Sequence, residues 1–368
     1  MIRLFEAFAG VGSQSMALRN IGADYETVAI SEIDKFAIAS YEAIHGAVIN
    51  LGDISQIETE TIPDHDLFTY SFPCQDISVA GKQGGLSEGT QTRSSLLWEC
   101  KKVIETKKPK YLLLENVKNL VGKRHKANFE LWLDWLVAQG YTNYWKVLNA
   151  KEFGVPQNRE RVFVVSVLGE HKPFEFPEPQ ELSVRLKDLL ENEVDEKYFI
   201  NRDWVYTVDS NLPAHDTNEI AQLTGISYKA TRSITDPDKI CRCLDTMGGG
   251  QREPKVLIKN ATKLGYLEAF DGDGIDLSYP NSKTRRGRVQ KECRTTLLTS
   301  DTVGTLDNLR IRKLTPLECW RLMGFSDTDF YKAEEVNSNS QLYKQSGNSI
   351  VVNVLEGIFR NMLATSLG

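Results

Sequence analysis

Cys74 is the residue whose type and position most directly suggest covalent chemistry. It stands in Ser71-Phe-Pro-Cys-Gln75, directly after an apolar segment typical of a β-strand. A cysteine in a partly exposed loop is a nucleophile when its surroundings favour the thiolate. The alternative is a buried structural thiol, although Pro73 disfavours burial within a strand because it lacks a backbone donor. The loop position favours a nucleophile and leaves the structural role open.

A carboxylate and two arginines could assist such a nucleophile. Glu115 follows the wholly apolar Leu112–Leu114, and a carboxyl at the lip of a buried strand tends to have a raised pKa. In Gln157-Asn-Arg-Glu-Arg161, strand alternation places Arg159 and Arg161 on the same side. Surface arginine pairs are common, so this pair by itself is a weak signal.

A second group of residues is typical of a cofactor site. Phe8-Ala-Gly-Val-Gly12 lies between a predicted strand and a predicted helix, where glycines and free N–H groups let a ligand approach. Glu32 follows Gly12 by twenty residues and could accept hydrogen bonds from a ribose. Asp53 could face an adenine. A solvent-exposed glutamate is the alternative for Glu32, and these residues do not say which nucleoside-bearing cofactor binds.

The elements that must position these residues alternate along the first 170 residues. The order strand, helix, strand predicts an α/β fold with an open, mostly parallel sheet and helices on both faces. Ligands in such folds bind beyond the carboxyl ends of the strands, where the residues above are found. The predicted strands are Ile2–Phe8, Tyr25–Ser31, Leu67–Phe72, Tyr111–Leu114, Trp145–Leu148 and Arg161–Val167, and the helices between them are Ser13–Ile21, Lys35–His45, Ser95–Thr106 and Phe129–Gln139.

The pattern changes after about residue 172. A proline-rich segment predicts a linker, and residues 200–310 are rich in loops. Helical patterns return at Thr315–Leu322 and Ser349–Leu363.

Composition excludes several classes of protein. The 368 residues carry 41% apolar and 26% charged side chains, with no signal-peptide pattern and no apolar run long enough for a membrane span. We therefore expect a cytoplasmic enzyme with one large and one smaller domain. The six cysteines are scattered, so neither a disulfide framework nor a metal site is expected. Apart from Cys74, all of them, including Cys243, are interpreted as ordinary small apolar residues.

A basic segment stands out against a net charge of −6. Residues 281–313 hold nine Lys or Arg against three Asp or Glu, a net charge of +6. Such a run is usually a solvated face, but inside an acidic protein it indicates contact with a phosphate backbone.

The ordered motifs together resemble the cytosine-C5 DNA methyltransferase family, of the prokaryotic or phage, restriction-modification type. The resemblance covers residues 1–175 and 308–368, and no catalytic position departs from it. It rests on Phe8–Gly12, Glu32, Asp53, Pro73-Cys74-Gln75, Glu115-Asn-Val117, Gln157–Arg161, Arg312–Phe325 and Gly347–Val354.

The resemblance implies a mechanism and a cofactor. Cys74 would add to cytosine C6, Glu115 would hydrogen-bond N3 and the exocyclic amine, and Arg161, with Arg159 behind it, would orient the base. The target nucleotide would be flipped out of the duplex, and the glycine-rich segment Gly81–Arg93 would close over it, unless it is a plain flexible connection. S-adenosylmethionine is the implied cofactor, in a site lined by Phe8, Gly10, Gly12, Glu32, Asp53, Asn348 and Ser349.

The same resemblance implies a Rossmann-like methyltransferase sheet with a smaller, loop-rich target-recognition domain. The catalytic domain would be discontinuous, residues 1–175 plus 335–368, and residues 176–334 would recognise double-stranded DNA. A monomer without an obligatory protein partner suffices, and a cognate restriction endonuclease is compatible with it. The predicted DNA contacts are Gln75, Arg252, Arg285, Arg286, Arg288 and Thr296, with base-reading loops at 248–252 and 295–299.

Three alternatives remain at this point. The tRNA-cytosine methyltransferase branch shares the chemistry, although the long basic middle region favours duplex DNA. A dinucleotide-dependent oxidoreductase predicts a third glycine after Gly12, where Ser13, Gln14 and Ser15 stand instead. A catalytically inactive DNA-binding relative is disfavoured by the presence of Cys74, Glu115 and Arg161.

Overall fold

The computed structural model describes residues 1–73, 96–198, 239–244 and 314–365, together with eight short strands between residues 206 and 313. The chain divides into two compact units. The first comprises Met1–Leu189, Arg242–Gly250 and Pro316–Gly368, and the second comprises Leu190–Cys241 and Gln251–Thr315. The functional domains predicted from the sequence, with boundaries near 175 and 335, stay a proposal.

A six-stranded sheet forms the centre of the first unit. Its strands run in the order β2-β1-β3-β4-β7-β5, and a two-residue strand, β6, precedes β7. The bounds are β1 Ile2–Ala7, β2 Tyr25–Ser31, β3 Leu67–Tyr70, β4 Tyr111–Val117, β5 Tyr141–Asn149, β6 Gln157–Asn158 and β7 Glu160–Leu168. Neighbouring strands from β2 to β4 pair in parallel, so the predicted α/β sheet is confirmed.

β7 is the exception, because it runs antiparallel to both β4 and β5. Val117 at the end of β4 lies opposite Arg161 near the start of β7. The beginning of β7 therefore lies at the same edge of the sheet as the carboxyl ends of the parallel strands. The predicted strand Tyr111–Leu114 also extends to Val117, which makes Glu115 part of β4.

The strands β1, β3, β4 and β7 are largely buried on both faces, which explains their apolar runs. On one face Phe5 stacks on Phe68 at 5.2 Å between ring centroids, and this layer belongs to a core that includes the fully buried Trp132. On the other face Leu4 and Leu67 are also fully buried. Alternate residues of β1 and β3 thus contribute to two different hydrophobic layers.

Eight α-helices surround this sheet within the described residues. Their bounds are α1 Ser13–Asn20, α2 Lys35–His45, α3 Leu97–Lys107, α4 Lys126–Ala138, α5 Pro316–Arg321, α6 Asp327–Glu334, α7 Asn339–Asn348 and α8 Val352–Leu363. None of the helices in this described part of the chain is long and apolar enough to cross a membrane.

The carboxyl-terminal helices differ from the prediction. The sequence pattern did not predict α6 or α7, because both are short and carry many polar residues. The predicted helix Ser349–Leu363 was wrong at its start, since Ser349 is extended (φ −79°, ψ 165°) and closes α7. The bend between Ser349 and Val352 separates two helices that the periodicity had merged.

This end of the chain packs against α1 and α2. Arg19 of α1 pairs with Asp329 of α6 at 2.5 Å. Lys344 pairs with Asp34 at 2.6 Å, and Ser40 Oγ donates to Gln345 Oε1 at 3.0 Å. These contacts hold the α7–α8 turn beside the amino-terminal half of the unit.

The second unit contains two small sheets. A five-stranded sheet has the order Ile311–Lys313, Lys255–Leu257, Ser233–Thr235, Glu219–Leu223 and Tyr206–Thr207, and a three-stranded sheet has the order Val289–Gln290, Gly274–Asp276 and Val303–Thr305. The strands are two to five residues long, as short elements interrupted by Gly and Pro should be.

Candidate active site

The loop from Phe8 to Gly12 takes unusual backbone conformations at the end of β1. Phe8 has φ +57°, as has Gly10, and Gly12 has φ +81°. A Cβ at Gly12 would lie 2.4 Å from His45 Nε2. Close packing against α2, rather than the approach of a ligand, therefore requires glycine at this position. A Cβ at Gly10 would meet no atom within 4 Å, so this glycine borders open space. A bulky residue such as Phe8 in the left-handed region stores strain, which is a feature of ligand sites.

Glu32 lies at the end of β2 and is fixed by backbone donors. Its Oε2 accepts from Gly10 N at 2.9 Å, and its Oε1 accepts from the N–H groups of Ile33 and Asp34 at 2.8 Å each. A carboxylate has about four lone-pair positions, so Oε2 keeps one acceptor position for a ligand hydroxyl. Ile33 beside it exposes 72% of its surface, an apolar residue at this edge that the sequence analysis did not single out.

The other predicted cofactor residues have partners of their own. Asp53 caps a short 3-10 helix, Ile54–Gln56, and accepts from Ser55 N at 2.9 Å and Ser55 Oγ at 2.8 Å. Asn348 is exposed at the end of α7. Ser349 is buried, and its hydroxyl donates to Gln345 O at 2.7 Å, which satisfies a carbonyl at the end of α7.

Glu115 and Arg161 form an ion pair at the lip of the sheet. Arg161 Nε lies 3.2 Å from Glu115 Oε1, across the antiparallel β4–β7 pair. Burial raises the pKa of the Glu115 carboxyl, and the nearby guanidinium groups of Arg161 and Arg159 oppose this effect without cancelling it. The pair therefore combines a carboxyl that holds a proton more readily than usual with an adjacent fixed cation.

Arg159 is buried and connects three segments of the chain. Its Nη2 donates to the carbonyls of Gly347 and Ser349 at 3.1 and 2.8 Å, and its Nη1 donates to Leu244 O at 3.1 Å. Burial, together with the like charge of Arg161, lowers the pKa of this guanidinium. Arg159 thus ties the α7–α8 turn to the segment before β7.

Cys243 is not the ordinary apolar residue that the sequence indicated. Its thiol lies against both arginines. Arg159 Nη1 lies 3.6 Å and Arg161 Nη2 lies 3.9 Å from Cys243 Sγ. The two guanidinium groups therefore meet at one sulfur, Arg159 from the residue between β6 and β7 and Arg161 from β7. No local signal in the sequence distinguishes Cys243, because the contact joins residues more than eighty positions apart.

Asn116 belongs to the motif Glu115-Asn-Val117, and the structure shows that its side chain bonds to the backbone on both sides. It is 2% exposed, and its Nδ2 donates to Phe72 O at 3.0 Å while its Oδ1 accepts from Val117 N at 2.9 Å. Phe72 stands two residues before Cys74. Asn116 therefore fixes the backbone from which the Cys74 segment departs, beside Glu115 on the same strand.

Gln157 is the other motif residue with a structural role. It is fully buried, its Nε2 donates to Leu322 O at 2.6 Å, and its Oε1 accepts from Leu244 N at 3.1 Å. These bonds hold the segment that carries Cys243 beside the start of β7.

The remaining predicted site residues lie outside the described residues. They are Cys74, Gln75, the segment Gly81–Arg93, Arg252, Arg285, Arg286, Arg288, Thr296 and the two predicted base-reading loops. Within the described ranges, no group of three or more His, Cys, Asp or Glu side chains could hold a metal ion.

Comparisons with known proteins agree with the geometry. A family model of C-5 cytosine-specific DNA methylases matches residues 2–364. The Type II methyltransferase M2.ScrFI of Lactococcus lactis subsp. cremoris is 40% identical over 98% of this chain and 99% of its own. The Orphan methyltransferase M.SPBetaI of Bacillus phage SPbeta is 33% identical over 99% of this chain and 98% of its own.

A solved structure shows the same fold at lower identity. The Entamoeba histolytica methyltransferase EhMeth has a TM-score of 0.69 and 18% identity, and the match covers 99% of this chain and 98% of that one. The family predicted from the ordered motifs is confirmed, because the family model extends over nearly all of the sequence. The chain belongs to the C-5 cytosine-specific DNA methylase family.

Proposed function

We propose that this chain methylates C5 of a cytosine flipped out of a specific short duplex DNA sequence, through a covalent bond between Cys74 and C6. The observation that carries the proposal is the ion pair between the buried Glu115 and the partly exposed Arg161 at the edge of the sheet. Glu115 is followed on β4 by Asn116, whose side chain holds the backbone that leads to Cys74. We expect the Cys74 nucleophile to join the proton donor Glu115 and the cation Arg161 at this edge.

Each of these residues has a chemical task. The Cys74 thiolate forms a bond to C6, and the electrons of the C5–C6 double bond move toward C5 and the ring. Glu115, whose pKa is raised by burial, hydrogen-bonds N3 and favours this addition by neutralising the charge that develops there. Arg161 orients the base and stabilises its anionic character. After methylation, loss of the C5 proton restores the double bond and expels the Cys74 thiolate.

The methyl group comes from S-adenosylmethionine, and the residues at the end of β1 and β2 fit this cofactor. Gly10 borders open space, and Glu32 keeps one acceptor position for a ribose hydroxyl. Helix α1 begins at Ser13, and its N-cap Gly12 offers no side-chain cap, so the N–H groups of its first turn can meet a carboxylate. Phe8, Asp53, Asn348 and Ser349 belong to the same proposed site.

The DNA would be bound by the middle of the chain. We assign residues 1–175 and 335–368 to catalysis and cofactor binding and residues 176–334 to target recognition. The basic segment 281–313 would contact phosphates, and the loops at 248–252 and 295–299 would read base edges. The enzyme would act as a monomer in the cytoplasm of a bacterium or phage-infected cell, a setting supported by the sources of its relatives. A cognate restriction endonuclease is compatible with this function.

Transfer of labelled methyl groups from S-adenosylmethionine to duplex DNA tests the proposal. The wild type should label DNA, Cys74→Ser should abolish labelling, and bisulfite sequencing should locate the methylated cytosine. Cys100→Ala, which removes a thiol from the core, is the matched control and should retain transfer. Undiminished transfer by Cys74→Ser would remove Cys74 from the mechanism, and labelling of tRNA instead of DNA would change the substrate.

A further inference from the structure

Cys243 occupies a position in the site that the mechanism above does not use. Its sulfur accepts from Arg159 Nη1 at 3.6 Å and Arg161 Nη2 at 3.9 Å, and Arg161 Nε in turn faces Glu115 Oε1 at 3.2 Å. The four side chains therefore form a row in the order Arg159, Cys243, Arg161 and Glu115. As a thiolate, Cys243 would make the charges of this row alternate in sign.

The contacts of Arg161 show what the sulfur contributes. Its Nε faces Glu115, its Nη1 donates to Glu160 O at 2.9 Å, and its Nη2 reaches Cys243 Sγ. The guanidinium is a planar fork, so a contact at each nitrogen fixes its plane as well as its position. Removing the sulfur would remove the contact at Nη2 that helps to fix this plane.

The electrostatics favour an anion at this point. Two guanidinium groups close together repel each other, and a negative charge between them relieves the repulsion. Burial by itself would raise the pKa of the Cys243 thiol, but the two guanidinium groups outweigh burial and lower it. The charged groups that face the thiol are Arg159, in the segment before β7, and Arg161 on β7, and Glu115 on β4 faces these arginines in turn.

We propose that Cys243 is a positioning residue, whose thiolate holds the Arg161 guanidinium in the plane in which it meets both Glu115 and the flipped cytosine. The proposal rests on the function proposed above, because it assigns Arg161 and Glu115 to the base. Cys243 itself contacts the arginines rather than the substrate. Since Arg159 is anchored by the carbonyls of Gly347 and Ser349, the sulfur transmits a fixed position from the α7–α8 turn to Arg161.

Substitutions that separate charge from volume test this role. Cys243→Ala and Cys243→Ser should lower kcat about 10- to 100-fold, the range for loss of a hydrogen bond to a charged group. Cys243→Asp restores an anion and should recover much of that loss, while the KM for S-adenosylmethionine should change little in all three. Cys241→Ala is the matched control and should keep the wild-type kcat. Wild-type kcat in Cys243→Ser, or Cys243→Asp no better than Cys243→Ala, would overturn the proposal.

A second measurement does not depend on turnover. The rate of alkylation of Cys243 by iodoacetamide, followed by peptide mass spectrometry, should reach its plateau at a pH below that of an ordinary thiol. In Arg161→Gln the plateau should move to higher pH, because one of the two cations is gone. A Cys243 profile like that of a free thiol would overturn the proposal even if the enzyme is active. Failure of the wild type to methylate DNA, with the profile as expected, would instead count against the proposed function.

Discussion

Glu6 is a buried carboxyl whose cost to folding depends on pH. It lies in β1, fully buried, and its Oε1 accepts from Ser15 Oγ at 2.6 Å. Ser15 Oγ also lies 3.0 Å from Thr27 Oγ1 and 3.1 Å from the Tyr41 hydroxyl. Burial raises the pKa of Glu6 to about 7, and the hydrogen bonds from Ser15 and Tyr41 only partly offset it. The carboxyl is therefore protonated in the folded protein at a pH where it is ionised in the unfolded chain.

The size of the effect follows from that difference in pKa. The folded value of about 7 exceeds the ordinary 4.5 by an amount worth about 3 kcal/mol. Because the folded state binds more protons between these values, the stability of the wild type falls as pH rises through this window. Below pH 4.5 both states are protonated and the penalty is absent. Above pH 7 both are ionised and the full penalty remains.

Glu6→Gln removes the titration while keeping the shape of the side chain. Its stability relative to wild type should rise by about 2 kcal/mol between pH 5 and pH 8, by the same linkage. Any change in packing caused by the amide shifts the whole curve and does not alter this slope. Urea unfolding followed by tryptophan fluorescence measures the difference, because five of the six tryptophans belong to the first unit.

The control is Glu26→Gln, an exposed glutamate on the neighbouring β2. The free energy of unfolding of this variant, plotted against pH, should run parallel to that of the wild type across the same pH range. A difference between Glu6→Gln and wild type that is constant from pH 5 to pH 8 would refute the reasoning, because it would show that Glu6 titrates alike in both states.

Two further predictions concern the loops around the site. Asn116→Ala removes the bond to Phe72 O, and methyl transfer should slow about tenfold, the effect of one lost buried hydrogen bond; an unchanged kcat would show that the Cys74 segment is held by other contacts. Gly12→Ala should lower Tm, because its Cβ would lie 2.4 Å from His45 Nε2. The Cβ of Gly10→Ala would face open space, so this variant should mainly lose affinity for S-adenosylmethionine, measured by calorimetric titration. A larger loss of Tm in Gly10→Ala, with the larger loss of affinity in Gly12→Ala, would contradict the assignment of these glycines.

Much of this protein could be predicted from its sequence because the relevant signals are local. Apolar runs predicted the strands β1, β3, β4 and β7 within a few residues, since a strand buried on both faces is largely apolar. The ordered motifs, from Phe8–Gly12 to Gln157–Arg161, predicted the family, which the match over residues 2–364 confirms. Local periodicity failed at α6 and α7, where many polar residues hide the buried positions.

The tertiary structure decided how the site is assembled. No local pattern states whether a strand runs parallel or antiparallel, yet only the reversed direction of β7 brings Arg161 to the edge where Glu115 lies near the end of β4. Cys243 is a similar case, because its contacts with Arg159 and Arg161 span 84 and 82 positions of the chain. Sequence alone determined which residue types were present and which segments were strands or helices, since these depend on neighbouring residues. The pairing of charges depends on distances across the fold, and only the packed structure fixes those distances.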